Sequence, residues 1–207
     1  MVGDPNEYKR HTMEAYNALT AELADGYDHY FETSARLEAD QFLARLTRGD
    51  TILDLGCGVG TASRYFAEKG YTPVAADLSE EMVEECKRRG LASPVRLDLE
   101  ALPFLVSSFD GVWAHTSLIH IPKQRLTIAM EGLEKILKFG GALFIALREG
   151  TEEGYEGSVG VERWFAYFQP DEFESHIPNA YRIVRCTRIE GQRINFLNYL
   201  LVKKRIR

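Results

Sequence analysis

Thr51-Ile52-Leu53-Asp54-Leu55-Gly56-Cys57-Gly58-Val59-Gly60-Thr61 is the stretch whose reading decides the fold. Its β-branched and leucine residues have the composition of a buried parallel strand. Glycines at every second position then let the backbone turn sharply and approach a ligand before a helix begins near Thr61. Asp54 is the discriminating residue. A loop built for pyrophosphate offers amides and a helix dipole to negative charge, so a carboxylate at its front edge suits a cofactor carrying an ammonium or sulfonium.

Outward from this strand, helices and strands alternate. A helix over Thr61–Lys69 closed by Gly70, a strand over Thr72–Ala76, and a helix over Glu80–Arg89 closed by Gly90 come first. Ser79 is placed to cap that last helix, and Glu80 and Glu81 sit where its dipole favours acids. Strands are expected at Val95–Leu97 and Phe109–Ala114. Pro122 opens a helix whose Leu126, Ala129, Met130, Leu133, Ile136 and Leu137 share a face, Gly140-Gly141 stops it, and the apolar strand Ala142–Leu147 follows. Alternation of this kind implies right-handed crossovers and a parallel sheet covered on both faces, an α/β doubly wound fold. Two helices precede the first strand: Asn6–Ala24, only loosely amphipathic, and Ser34–Leu46, which directs Leu37, Phe42, Leu43 and Leu46 to a core. Beyond Arg148 the pattern changes. The glycine- and glutamate-rich 149–162 reads as a flexible surface loop, Pro170 starts a small helix, and Tyr181–Ile189 and Arg193–Val202 form a final antiparallel pair around Glu190-Gly191-Gln192.

With 207 residues, 45% hydrophobic and 27% charged, the chain is expected to form one domain over 1–207, with 1–48 as N-terminal helices that double as a lid. No apolar run approaches the roughly eighteen residues of a membrane span. Met1–Arg10 lacks the apolar core of a signal peptide, and a cytoplasmic location is expected. Cys57, Cys86 and Cys186 are widely spaced, which fits reduced thiols and no zinc site. Net charge is −6, but from Tyr181 onward eight Lys and Arg face one acid, so this tail carries +7 and residues 1–180 carry −13. Surface positions on two edge strands, with Lys203–Arg207 a frayed end, account for that asymmetry better than an RNA-binding patch.

Five blocks now carry a resemblance: Ile52 to Gly60, Val74-Ala75-Ala76-Asp77-Leu78-Ser79, Leu97-Asp98-Leu99, Phe109-Asp110-Gly111-Val112-Trp113 and Leu137-Lys138-Phe139-Gly140-Gly141-Ala142-Leu143. In this order they resemble the class I S-adenosylmethionine-dependent methyltransferases, specifically their compact small-molecule prokaryotic members. The resemblance implies a Rossmann-like seven-stranded sheet in the order 3-2-1-4-5-7-6 with strand 7 antiparallel, S-adenosylmethionine as cofactor and S-adenosylhomocysteine as product. It assigns cofactor binding to Asp54, Gly56, Cys57, Gly58, Gly60, Asp77, Leu78, Asp98, Leu99 and His115. Asp77, about twenty residues past the loop, is placed for the ribose hydroxyls. Asp98 and the Leu99 amide are placed for adenine.

His120 and His115 flank the end of the fourth strand, where acceptors sit in the family, and are the candidate catalytic groups. Their structural alternatives are an anchor for the turn before Pro122 and a backbone contact. Tyr16, Arg148, Arg163, Trp164 and Tyr167 are candidate acceptor-binding residues, and Tyr8, Tyr27 and Tyr30 candidate lid tyrosines. The expected acceptor is a small molecule with an O, N, S or C nucleophile. Nucleic acid, membrane and metal are not expected, and the protein is expected to act as a monomer or homodimer. Three competing readings remain. An RNA or tRNA methyltransferase would want an appended RNA-binding domain. An NAD-dependent oxidoreductase would want glycine where Thr61 stands. A catalytically silent S-adenosylmethionine-binding partner protein would carry the same residues.

Overall fold

The computed structural model describes residues 4–191 and 194–205. Its sheet starts at the opening motif: β1 (Thr51–Leu55) lies parallel between β2 (Thr72–Asp77) and β4 (Phe109–His115), and β3 (Val95–Arg96) flanks β2. On the far side of β4 runs the long β5 (Leu137–Glu149), followed by β9 (Phe196–Lys203) and β8 (Tyr181–Ile189). These seven strands have the order β3-β2-β1-β4-β5-β9-β8, with β9 antiparallel to both neighbours. That is the expected Rossmann-like topology. The final strand begins at Phe196; the expected start at Arg193 lies outside the described residues, as do Gln192 of the turn and Ile206 and Arg207 of the end.

Strand alternation sorts the core onto two faces. Leu53, Leu55, Val112, Ala114, Leu143 and Ile145 pack under α5 (Leu126–Ile136) and α6 (Pro170–Ser175). Ile52, Trp113, Phe144 and Ala146 pack under α2 (Arg36–Leu43) and α3 (Thr61–Glu68). The aromatic knot of Phe42, Phe66, Trp113 and Phe144 anchors this second face, with Trp113 stacked on Phe144 at 4.1 Å. Burial of each such ring stabilises by about 1.5–3 kcal/mol.

Several elements differ from expectation. The N-terminal helices are one continuous helical run: α1 (Glu7–Tyr30) passes through a π-helical turn at Phe31–Ala35 straight into α2. Phe42 and Leu43 are buried as expected, but Leu37 is 65% exposed, because five residues of α-helix turn it about 140° away from Phe42. Gly140-Gly141 does not end α5. Leu137 already pairs with Phe109, and the glycines fall inside β5 at a register shift. The segment expected as a loop over 149–162 contains β6 (Glu153–Glu156), hydrogen-bonded antiparallel to β7 (Arg163–Phe168). β7 pairs with Arg148 and Glu149 of β5, beyond the point where β4 ends, so this hairpin stands over the carboxyl end of β4. Nor are the last two strands both edges. β9 is internal, and the expected fray at Lys203 is instead a buried ammonium that donates to the carbonyls of Glu134 and Leu137 at 2.5 and 2.8 Å, satisfying the end of α5.

Candidate active site

A cavity of about 870 Å³, its open mouth included, lies along the carboxyl ends of β3, β2, β1 and β4. The order of chains across the sheet reverses between β1 and β4, and in open α/β sheets that switch point is where ligands bind. α1 forms the roof. Tyr8, Lys9, Thr12, Met13 and Tyr16 line the cavity from one helical face, with Tyr27 further on. This explains the weak amphipathicity read from the sequence: the inward face of α1 carries Lys9 and Thr12 beside its tyrosines and covers a cavity rather than a solid core.

The floor is built by the opening motif. Gly56 and Cys57 both donate to the Ala76 carbonyl, at 2.7 and 3.0 Å, which fixes the loop against the end of β2. Gly56 has φ +74, and a Cβ there would lie 2.3 Å from the Ser117 Cβ, so only glycine lets the loop pass the residue that follows β4. Gly58 and Cys57 line the cavity, and the Cys57 thiol lies 3.7 Å from that of Cys86, which faces the core as expected. Gly60 does not line it. Its φ of +77 turns the chain into α3, and a Cβ would meet Leu91 at 2.3 Å and the Cys86 sulfur at 2.9 Å, so packing requires glycine here.

Asp77 stands in the middle of the cavity floor, one carboxylate oxygen accepting from the Gly58 amide and the other from the Ser79 amide, each at 2.9 Å. Burial pushes its carboxyl up to about 6 against those hydrogen bonds. Leu78, Asp98 and Leu99 line the same cavity. Asp98 accepts from the Glu100 amide at 2.9 Å and from Lys9 of α1 at 2.7 Å, and Lys9 also reaches Glu100 at 2.6 Å. Asp54 is the expected cofactor residue that does not line the cavity at the end of β1. Alternation puts it on the α3 face with Ile52. There it is 2% exposed, accepts from the Ser63 hydroxyl at 2.6 Å, and is pushed up to about 7 by burial. It sits behind the glycine loop and outside the cavity wall.

Both histidines line the cavity. His120 Nδ1 lies 2.6 Å from the Trp164 carbonyl, which can only accept, so Nδ1 carries the proton and Nε2 accepts from the Tyr16 hydroxyl at 2.8 Å. Burial, with the Arg148 and Arg163 cations nearby, pushes His120 down to about 3. In this arrangement His120 is neutral and doubly hydrogen-bonded between Trp164 and Tyr16, and it positions the Tyr16 hydroxyl. His115 is pushed down to about 4 by burial, and its ring extends the stack on Trp113 at 5.5 Å.

Thr116, next in the chain, has φ +55, a strained conformation for a β-branched residue. It and Tyr16 are shared with a second cavity of about 430 Å³, whose other walls are Tyr30, Ile119, Arg148, Phe165 and Phe196. Of the expected acceptor residues, Tyr16 and Arg148 line a cavity directly. Arg163 rests against Tyr16 at 5.1 Å, and the Tyr167 hydroxyl accepts from Arg148 at 3.0 Å. Trp164 contributes its carbonyl to His120 and its amide to Thr12 at 2.9 Å, while its ring faces Tyr8 and Tyr155. Lys9, Glu100, Ser117, Phe165 and Phe196 were not foreseen. Glu100 lies two residues past Asp98 and could have been suspected; nothing local marks the others.

Residues 53–145 match the family pattern described as a methyltransferase domain. The chain is 30% identical over 176 residues to the ubiquinone biosynthesis O-methyltransferase of Xanthomonas oryzae pv. oryzae, covering 76% of this chain and 73% of that protein. It is 35% identical over 133 residues to the malonyl-[acyl-carrier protein] O-methyltransferase of Enterobacter lignolyticus, covering 63% of this chain and 52% of that protein, so it spans about half the length of that relative. Among solved structures, Burkholderia thailandensis 1,6-didemethyltoxoflavin-N1-methyltransferase, bound to its acceptor and S-adenosylhomocysteine, superposes with a TM-score of 0.74 at 20% identity, covering 99% of this chain and 92% of that one. Fold and sequence together define a class I Rossmann-like methyltransferase. The chain belongs to the S-adenosylmethionine-dependent methyltransferase family. Among the described residues no helix is long and apolar enough to cross a membrane.

Proposed function

We propose that the protein transfers a methyl group from S-adenosylmethionine to a small-molecule nucleophile, with S-adenosylhomocysteine as product. The observation that carries this reading is the single cavity that holds Asp98, Asp77, the Gly56–Gly58 loop and Thr116 in sheet order and adjoins a second cavity at Tyr16 and Thr116. The residues fit the cofactor. The Ser117 hydroxyl is a buried polar atom on the cavity wall without a partner among the described residues, and the floor lacks Cβ atoms where the backbone must come close.

When bound, the cofactor supplies a methyl carbon on sulfonium sulfur that an acceptor lone pair displaces. Asp77 keeps free lone pairs beyond the Gly58 and Ser79 amides and can accept the ribose hydroxyls. Asp98 and the Leu99 amide would hold adenine, with Lys9 yielding or sharing its place on Asp98. Asp54, one layer back, supplies negative charge beneath the methionine portion. Tyr16 and Tyr27 exclude water from above. Burial holds both histidines neutral, and His120 already has two hydrogen bonds, so neither is assigned proton removal and rate enhancement rests on proximity and on a dry, preorganised site. The O-methylations named for the relatives favour an oxygen acceptor. The reading includes a cytoplasmic location, action as a monomer or homodimer, and a single domain in which α1 and 149–162 form the lid.

Thermal denaturation tests it. S-adenosylmethionine and S-adenosylhomocysteine should raise the melting temperature, since ligands that bind only the native state stabilise it by mass action, whereas NAD and NADP should not. Selective stabilisation by a nicotinamide cofactor would overturn the proposal. Tight cofactor binding without transfer to any acceptor, small molecule or RNA, would leave the silent binding partner as the better description.

A further inference from the structure

Positive charge is in surplus at the second cavity: Arg148 lines it, and Arg163 lies against its Tyr16 and Phe165 walls, 5.1 and 5.3 Å from the two ring centroids. β7 places Arg163, Phe165 and Tyr167 on one face by alternation. Both guanidiniums rest against the same ring, Arg148 at 3.8 Å and Arg163 at 5.3 Å from the Phe165 centroid. Arg148 donates through Nη1 to the Tyr167 hydroxyl at 3.0 Å and to Glu156 at 3.3 Å, whereas Arg163 makes no ion pair among the described residues. The Nε atoms of both arginines are buried without a hydrogen-bond partner. Two cations thus face one carboxylate, that of Glu156, whose side chain is 44% exposed. His120, beside both, is neutral and committed to Trp164 and Tyr16, so it supplies no counter-charge.

From this we infer that the methyl acceptor is a small aromatic carboxylate, its anion held by Arg148 and Arg163 and its ring packed among Tyr16, Tyr30, Phe165 and Phe196; the inference rests on the methyl-transfer reading of the adjoining cavity. Buried guanidinium Nε donors without partners are costly, and a planar carboxylate matches those free edges. A cationic acceptor would be repelled. A neutral ring would leave both Nε donors unmade. The volume, about 430 Å³ with its mouth, is that of a site for one or two rings.

The test titrates protein saturated with S-adenosylhomocysteine with 2-, 3- and 4-hydroxybenzoate and with the matching hydroxybenzamides, read by calorimetry. At least one acid should bind, with its amide roughly tenfold weaker or worse. Arg148→Gln and Arg163→Gln should each weaken the acid by a similar factor and leave S-adenosylhomocysteine affinity within about twofold. An amide that binds as well as its acid, or no acid binding at all, overturns the inference while the methyl-transfer reading stands. Loss of S-adenosylhomocysteine affinity in Arg163→Gln equal to the loss for the acid would assign the anion to the cofactor's own carboxylate, and also overturns it. Failure of S-adenosylhomocysteine to bind, seen before any acid is added, overturns both.

Discussion

The floor and the roof of the cavity are built on different length scales. The floor comes from residues 55–99, where a glycine or an acid stands at the end of each of three neighbouring strands or within two residues of it, so its geometry is inherited from the parallel sheet. The roof is held by polar contacts between distant parts of the chain: Asn17 with Ser79, Lys9 with Asp98, Tyr16 with His120 and Thr12 with Trp164, partners separated by 62 to 152 residues. Backbone strain and close packing govern the first, individually modest hydrogen bonds and ion pairs the second. A site of this kind can open by releasing α1 while the floor stays intact.

The floor should break hardest at Gly56. Gly56→Ala combines a positive φ of +74 with a Cβ 2.3 Å from Ser117, and should cost about 3 kcal/mol or more in urea denaturation. Adding Ser117→Gly should recover part of that loss in a double-mutant cycle. Strict additivity would refute close approach as the reason for the glycine.

Asp77→Ala should lower S-adenosylhomocysteine affinity by about one to two decades, because hydrogen bonds to a charged acceptor contribute roughly 1.5–3 kcal/mol. Calorimetry showing wild-type affinity in a folded variant would remove Asp77 from the ribose site.

On the roof side, His120→Ala strands the Tyr16 hydroxyl and the Trp164 carbonyl, and should destabilise the fold by about 1–3 kcal/mol. Because His120 is pushed down to about 3, the wild-type rate should show no histidine titration between pH 6 and 7. A rate that rises through that window and flattens in His120→Asn would restore the base.

The acids of the floor should also be visible in pH dependence. Burial raises Asp77 to about 6 and Asp54 to about 7, above the ordinary 3.8. The stability tied to their protonated forms is therefore complete below about 3.8 and is lost as pH rises through 6 and 7. The ligand-free protein should lose stability across that interval relative to Asp54→Asn, and S-adenosylmethionine should bind more tightly as pH rises, releasing protons. Equal pH profiles for wild type and Asp54→Asn would contradict this.

The smallest effect is expected for Lys9→Met, which frees Asp98 but leaves Glu100 paired with Arg125 at 2.6 Å. Hydrogen exchange in α1 should quicken by a few-fold in the variant and slow in the wild type on adding cofactor. Unchanged exchange in both would make α1 a fixed wall.

The sequence was legible where local chemistry dictates structure. Thr51–Leu55 is a strand with the bounds expected, Ser79 caps α4 (Glu80–Arg88) by accepting from Met82, and Gly56, Gly58, Asp77 and Asp98 arrive together because consecutive parallel strands end on one side of a sheet. Two of the expected cofactor residues, Gly60 and Asp54, lie outside the cavity wall. Gly60 belongs to the same glycine pattern but packs against Leu91, and Asp54 precedes the loop but faces α3, because alternation along β1 decides its side.

By itself, then, the sequence determined the alternation of strands and helices through periodicity and placed glycines and acids at the strand ends within short stretches, while the strand order and the class of enzyme came through the resemblance that its five blocks carry. Only the tertiary structure decided that α1 and the β6–β7 hairpin meet over β4, that His120 is neutral and bound between Trp164 and Tyr16, and that Arg148 and Arg163 converge on Phe165. Protonation state and unbalanced charge depend on burial and on neighbours far away in the chain, and no local pattern of residues encodes either.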